Sequence, residues 1–294
     1  MRMPSVSETE STQGSRAAIM RGLGYHEAMT YSFISREQYA DFSSEFTAIE
    51  IANPMGSEMA VMRSSLLPGL VGAVAFNIKH QNVTARLFEQ GACFYDDQGA
   101  TTQIQRIAAM ITGASRPVAW QQGPRNVDFF DLKGDLQALA ANLSLDVTFE
   151  PSTVSVFHPG RQAAVMVGGN QVGVCGQLHP DLAKKYEIKQ EVYLFELDSL
   201  VLSPDAVQAF SAISKYPAMR RDLAIVVENE INNSKIQAVI YESAGDLLQS
   251  VEVFDIYKGE GVPEGHKSIA LCISFQSTER TLVDDDINVI IQRI

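Results

Sequence analysis

The sequence predicts an α+β fold in two parts, a large antiparallel-sheet unit followed by a smaller unit of order βαββα. Three observations lead there. Strand candidates are joined mostly by hairpin signals, of which Gly168-Gly169-Asn170 is the clearest. Helical patterns come at irregular intervals, against the regular alternation that repeated βαβ units need. The stretch LSPDAVQAFSAISKYPAMRR loses that order and carries two prolines, which places a boundary near residues 203–212.

Residues 1–14, MRMPSVSETESTQG, are small, polar and aperiodic, so they read as a disordered leader or linker. A short helix from Ser15 ends at Gly22 and Gly24, where glycine takes the left-handed cap conformation, and a strand EAMTYSF follows. TAIEIANPMGSE is a strand entering an Asn-Pro turn. MAVMRSSLLPGLVGAVAFNIKHQ reads as a strand leading into a long helix, with Pro68 in its first turn. ARLFEQGACFY and QRIAAMITG are strands, and VDFFDLKGDLQALAANL is a helix with apolar positions at 129, 132, 136, 139 and 140. Two strands flank the Gly168-Gly169 turn, then come a short helix at HPDLAKKY and a strand at EVYLFELDSL. These elements define a core domain over residues 15–205.

Residues 206–294 form the second domain. DLAIVVE is a strand, NNSKIQAVIYESAG a helix capped by Asn232 or Asn233, and LLQSVEVFDIYKG and KSIALCISFQS are strands separated by the turn GEGVPEGH. LVDDDINVIIQRI starts a second helix with three carboxylates at the positive end of its dipole. This order is a ferredoxin-like split βαβ without its last strand. The missing strand would lie beside DLAIVVE, so the domain is expected to be C-terminally truncated with that strand as an open edge.

Composition narrows the function. Of 294 residues 46% are hydrophobic and 20% charged, enough to bury two cores. The net charge of −12 excludes a protein that coats nucleic acid by bulk electrostatics, so any RNA contact must be local. Cys93, Cys175 and Cys272 are odd in number and far apart, and read as buried thiols in a reducing compartment. With no secretory segment and no apolar run near the roughly 18 residues of a spanning helix, a soluble cytoplasmic protein is expected.

No nucleophile elbow or phosphate-binding glycine loop occurs. His26, His80, His158, His179 and His266 are scattered without metal-ligand spacing, and Asp284-Asp285-Asp286 reads as a solvated helix start, so no metal is assigned. The basic residues say more. Lys215, Arg220 and Arg221 cluster with Tyr216 just before the first strand of the second domain, while Lys258, Lys267 and Arg280 lie at the ends of its later elements. Single-stranded RNA is read by cations beside stacking aromatics, for which Tyr216, Phe254 and Tyr257 are candidates. Phe254 reads better as core.

Ten co-linear blocks carry a resemblance. GYHEAMTYSFI, NPMGSEMAVMRSSLLPGLV, ARLFEQGACFY, DFFDLKGDL, FHPGRQAAV, GQLHPDL and VYLFELD resemble the synthetase-like region of bacterial phenylalanyl-tRNA synthetase β subunits. KYPAMRRDLAIVV, FDIYKGEGVPEGHKSIAL and STERTLVDDDI are similar to that subunit's ferredoxin-fold anticodon-binding domain. The resemblance implies a class II synthetase-like fold without catalysis, followed by a tRNA-binding domain. It implies a heterotetramer of two α and two β subunits, in which α carries the ATP- and magnesium-dependent active site that joins phenylalanine to tRNA(Phe). Arg86-Leu-Phe-Glu89 superficially resembles the class II motif with an ATP-gripping arginine, but its companion loop and glycine-rich motif are absent. No catalytic residue is assigned and no cofactor is expected in this chain. The family's editing site lies upstream of these domains. The implied tRNA-binding set is Lys215, Tyr216, Arg220, Arg221, Lys258, Lys267 and Arg280. Two other readings remain: a catalytic class II paralogue, which would exchange ATP and pyrophosphate alone, and a ferredoxin-like regulatory module, which would bind RNA or a small ligand independently of tRNA charging.

Overall fold

The structure is a computed structural model that describes residues 8–42, 47–97, 99–117, 119, 120, 123, 125–199, 202 and 213–294, with side chains from residue 14 onward. It forms two compact units, Met1–Gln208 and Ala209–Ile294. The expected boundary at 203–212 falls outside the described residues.

The first unit runs α1 (Glu8–Gly22), β1 (His26–Glu27), β2 (Phe33–Ile34), α2 (Arg36–Phe42), β3 (Val61–Met62), α3 (Leu67–Lys79), β4 (Ala85–Asp97), β5 (Ala100–Thr112), α4 (Phe129–Asn142), β6 (Val147–Pro151), β7 (Phe157–Val167), β8 (Asn170–Leu178), α5 (Pro180–Lys185) and β9 (Val192–Asp198). Seven strands form one sheet in the order β1-β4-β5-β9-β8-β7-β6, antiparallel except for the short β1–β4 pair. β2 and β3 make a separate ribbon.

Helices cover both faces of the large sheet. Ile107, Ala109 and Ile111 of β5 pack with Met20 of α1 and Leu132, Leu136 and Leu139 of α4. Ala108 and Met110, one residue out of phase, pack on the other face with Leu67, Leu70, Val71 and Val74 of α3. A strand buried on both faces has no solvent side, so β5 and β9 read as continuous apolar runs instead of alternating ones. The α4 helix starts on a capping box: Asp128 accepts from the Phe130 and Asp131 amides, and Asp131 accepts from the Asp128 amide. In the β7–β8 turn Gly168 and Gly169 both take positive φ, 57° and 80°, the conformation a two-residue hairpin with right-handed strand twist requires.

One carboxylate joins the layers. Glu196, on the α3 side of β9, accepts from Ser65 Oγ at 3.0 Å and the Leu66 amide at 2.6 Å, and pairs with Arg106 of β5. Ser65 Oγ in turn accepts from the Leu67 amide. The N-terminal turn of α3 is therefore capped from a strand about 130 residues away, where a negative charge also favours the helix dipole.

Several sequence expectations change. The leader assigned to residues 1–14 is helical from Glu8, because α1 continues through the polar stretch that composition marks as unstructured; residues 1–7 lie outside the description. EAMTYSF is not one strand. β1 ends at Glu27, β2 begins at Phe33, and the backbone between them is tied down by side chains. Helix α2 and strand β6 carry no clear period in the sequence and were not expected. Cys93 and Cys175 are buried, but Cys272 is only half-buried. Burial pushes the Cys175 thiol up to about 12 and raises Cys93 further, as expected of inert thiols.

The second unit runs β10 (Met219–Glu228), α6 (Asn233–Ala244), β11 (Leu248–Tyr257), β12 (His266–Phe275) and α7 (Asp284–Ile291). Its strands form an antiparallel sheet in the order β10-β12-β11. Ile236 and Ile240 of α6 and Ile287 and Ile290 of α7 pack on Ile269, Leu271, Ile273 and Phe275. The opposite face carries no helix among the described residues, and β10 alternates accordingly: Leu223, Ile225 and Val227 face the helices, while Arg220, Asp222, Ala224, Val226 and Glu228 are exposed. Asn232 occupies the N-cap of α6.

Replacing Glu196 by Ala leaves a half-buried arginine and a helix terminus without their acceptor. It is expected to cost about 3–5 kcal/mol in urea unfolding, and a loss below 1 kcal/mol would show that the link is dispensable.

Candidate RNA interface and assembly surface

The cations named from the sequence do not form one patch. Arg220 and Arg221 are neighbours on a strand, so their side chains leave opposite faces of the sheet. Arg220 points to the open face, opposite Ser274 in register. Arg221 points to the helix side, where Nη2 pairs with Asp284 of α7 and Nη1 donates to the Arg220 carbonyl at 3.0 Å. Arg280 lies just before α7 and forks onto Asp286, with both bonds at 2.7 Å. That fork, with the Val283 amide, pushes the Asp286 carboxyl down to about 2. Lys215 and Tyr216 join this end: Ser214 Oγ donates to the Ser277 carbonyl and Gln276 donates to the Tyr216 carbonyl.

Lys258 and Lys267 belong to the other end of the sheet. Lys267 pairs in register with Val227, so it lies about 23 Å along the strand from Arg220, at 3.3 Å per residue. Its Nζ donates to the Asn229 carbonyl at 2.9 Å. Among the described residues Lys215, Arg220 and Lys258 have no ion-pair partner. The structure thus groups Lys215, Tyr216, Arg220, Arg221 and Arg280 and separates Lys258 and Lys267 from them.

Between the two ends, the open face offers something the basic residues do not. Tyr257 is opposite Ser268 and Asp255 is opposite Ala270, two residues along the same strand and on the same face, with Ala224 next in register on β10. Small side chains make this part of the sheet smooth, and Tyr257 is about half exposed beside a carboxylate acceptor. Phe254, which the sequence reading put in the core, is 60% exposed at the bulge in β11, because the register shift between Val253 and Asp255 carries it out of the packed face.

In the first unit, Arg86 is committed to structure. Nη2 pairs with Asp135 of α4 at 3.1 Å, Nη1 donates to the Leu23 carbonyl, and the guanidinium lies 5.1 Å from the Tyr25 ring centre, whose hydroxyl also donates to Asp135. It lies on the α1/α4 side with Phe88. The open pocket of ≈ 410 Å³ floored by Arg106 and Glu196 is on the opposite face. Glu89, three residues on, faces that second side. It accepts from Arg63 at 2.6 Å and from both the amide and hydroxyl of Thr30. Arg63 and Glu89 are 6% and 3% exposed, and Gly91 makes room for them, since a Cβ there would lie 2.3 Å from Arg63 Nη2. This lock fixes the extended segment between β1 and β2 from inside and turns its alternate residues outward. Met29 is 94% and Tyr31 70% exposed. These two exposed apolar side chains are the candidate contact residues of this segment.

Comparison with known proteins agrees with this division. The family model described as "Phenylalanyl tRNA synthetase beta chain CLM domain" matches residues 2–199, and "Ferredoxin-fold anticodon binding domain" matches residues 214–294. The chain belongs to the phenylalanyl-tRNA synthetase β chain family. Phenylalanine–tRNA ligase β subunits of Legionella pneumophila and Pseudomonas putida are 38% and 39% identical over 273 residues, covering 92% of this chain and 34% of theirs. That of Coxiella burnetii is 36% identical over 291 residues, 98% of this chain and 37% of its own. The chain therefore spans about a third of the length of the curated relatives it matches. Among solved structures, a pyrrolysyl-tRNA synthetase from Desulfitobacterium hafniense superposes with a TM-score of 0.50 at 15% identity, over 66% of this chain and 67% of that one, a likeness of fold alone. The α+β class with a synthetase-like sheet and a ferredoxin-fold anticodon-binding domain holds for this family member. No helix among the described residues is long and apolar enough to cross a membrane.

Two outcomes follow from the geometry. Arg86→Ala should lower stability by roughly 1–3 kcal/mol by stripping a partner from half-buried Asp135, read as a lower urea midpoint at constant slope. Asp286 has a depressed carboxyl, so its contribution is present above its ordinary value of 3.8 and fades as pH falls through about 2. An NMR titration should find it there, and Arg280→Ala should return it towards 3.8; a titration unmoved by that change would dissolve the fork.

Proposed function

We propose that this chain is the part of a phenylalanine–tRNA ligase β subunit that assembles with the catalytic α subunit and holds tRNA(Phe) for ATP-dependent aminoacylation. The observation that carries this reading is the pair of family matches, in order, over nearly the whole chain. On this reading residues 15–205 are a class II synthetase-like domain without catalysis of its own, and residues 206–294 bind the anticodon region. ATP and magnesium act in the whole (αβ)2 enzyme, on the α subunit. The arginine that resembles an ATP-gripping residue, Arg86, is spent on Asp135 and Tyr25, which supports a non-catalytic role.

The outward side chains Met29 and Tyr31 supply the surface for the α subunit. The segment that presents them is locked before assembly, so little conformational entropy is lost on binding. In the second domain, Tyr257 stacks an unpaired base on the open sheet face while Asp255 and Ser268 meet its hydrogen-bonding edge. Lys215, Tyr216, Arg220, Arg221 and Arg280 contact the RNA backbone at one end, and Lys258 and Lys267 at the other.

Charge constrains how this works. Residues 213–294 carry eight Lys and Arg against thirteen Asp and Glu. Binding that relied on phosphate contacts alone would meet net repulsion, so base stacking must supply much of the affinity.

Tyr257→Ala is expected to weaken tRNA(Phe) binding about 10-fold or more, with Tyr257→Phe close to the parent, since stacking is worth about 1–3 kcal/mol per base. The slope of log K against log salt should be no steeper than about −4, corresponding to at most the six cationic phosphate contacts named above at roughly −0.7 each. A much steeper slope with an unaffected Tyr257→Ala would reverse the roles assigned to ring and cations. Met29→Asp with Tyr31→Asp should abolish co-purification with the α subunit while leaving the melting temperature unchanged; retained assembly moves the interface elsewhere.

A further inference from the structure

We propose that the acidic first turn of α7 screens the arginines beside it, so that RNA phosphate reaches Arg221 and Arg280 only by displacing Asp284 and Asp286. The inference rests on the RNA reading of this end of the domain and concerns what controls access to it.

The geometry of exchange is specific. Arg280 presents two parallel N–H groups to the two oxygens of Asp286, both at 2.7 Å, and a phosphate needs that same fork. Arg221 has one terminal nitrogen on Asp284 and the other on the Arg220 carbonyl. Neither guanidinium is idle, unlike Lys215 and Arg220, which have no ion-pair partner among the described residues. Both arginines keep at least a third of their side-chain surface in water, where ion pairs are salt-sensitive, so a polyanion can compete with the carboxylate, more readily at exposed Asp284 than at the bidentate, 22%-exposed Asp286. A displaced carboxylate stays within the same turn beside exposed Asp285 and repels the incoming phosphate.

The consequence is selectivity. An arbitrary polyanion that offers only phosphate gains an arginine contact and loses an equivalent one. An RNA that also stacks on the open face and reaches Lys215 and Arg220 has further favourable contacts to set against the exchange. The carboxylates act here as specificity-determining groups, through the arginines and not by touching RNA. A positioning role, in which Asp284 and Asp286 hold the arginines ready for phosphate, makes the opposite prediction for their removal.

The two carboxylates are not equally testable. Asp286 also accepts from the Val283 amide and completes the first turn of α7, so its loss disturbs the helix. Asp284 makes no such bond, and Asp284→Asn removes the charge alone. Glu242→Gln on exposed α6 is the control for the same change in net charge. The readouts are the salt concentration that elutes each variant from heparin and the Kd for a short poly(U) RNA and for a tRNA(Phe) transcript at low salt, with circular dichroism to confirm the fold.

Asp284→Asn is expected to tighten poly(U) binding about five-fold, the Coulomb effect of one charge near 4 Å in water, and to tighten tRNA(Phe) by less. It should elute from heparin at higher salt than Glu242→Gln, and Arg221→Ala in the same chain should remove the gain. An Asp284→Asn variant that behaves like Glu242→Gln, or binds more weakly than the parent, overturns the screening role. If Arg221→Ala and Arg280→Ala weaken RNA binding while Asp284→Asn changes nothing, screening alone fails. If neither arginine matters for RNA or heparin, the site reading beneath it fails as well.

Discussion

Glu196 is the constraint on which the first unit depends. A carboxylate with little exposure to water is costly unless it is paired and hydrogen-bonded, and here the Leu66 amide, the Ser65 hydroxyl and the Arg106 guanidinium partner it at the floor of the pocket. Those three groups belong to the start of α3 and to β5. The contact therefore fixes where the helix begins, which face of β9 meets it and how β5 and β9 are registered. The apolar layer of α3 follows from that placement: Leu67, Leu70, Val71 and Val74 can reach Ala108 and Met110 only when the first turn is held at the sheet.

The same chemistry recurs at Glu89, and together the two carboxylates account for a synthetase-like sheet with its charges turned inward. Arg63 and Arg106 are paired on the α3 face, and Arg86 is paired on the other with Asp135. Side chains of the type that would grip a nucleotide are occupied in holding helices and an extended segment. The surface gains what the interior has absorbed, because the Thr30–Glu89 bonds that face inward oblige Met29 and Tyr31 to face outward.

For the second unit the proposed function poses a different difficulty, recognising a polyanion with an acidic domain. The sheet separates the tasks in space. Its middle is smooth, with an aromatic ring and hydrogen-bonding groups on the open face, and its cations are held at the two ends, several of them against carboxylates or carbonyls. On the proposed function, such an arrangement would favour base contacts over charge.

Much of this was legible in the sequence. Hairpin glycines, capping residues and apolar periods placed most helices and strands of both units, and motif likeness indicated the family. The misses have physical causes. Glu8–Gly14 has a composition typical of disorder yet continues the helix that Ala17 and Met20 anchor to the core. Residues 27–33 look like a strand, but the inward hydrogen bonds of Thr30 replace ladder pairing. A strand read as starting at Asp222 leaves Arg220 and Arg221 outside it and hides the alternation that sends them to opposite faces, and nothing local reveals that α7 returns to pair with one of them. Local periodicity and capping chemistry act within a few residues, and those the sequence determines by itself. Which carboxylate meets which arginine across 26, 63 or 90 residues depends on the register of strands and the docking of helices, so only the tertiary structure decided it.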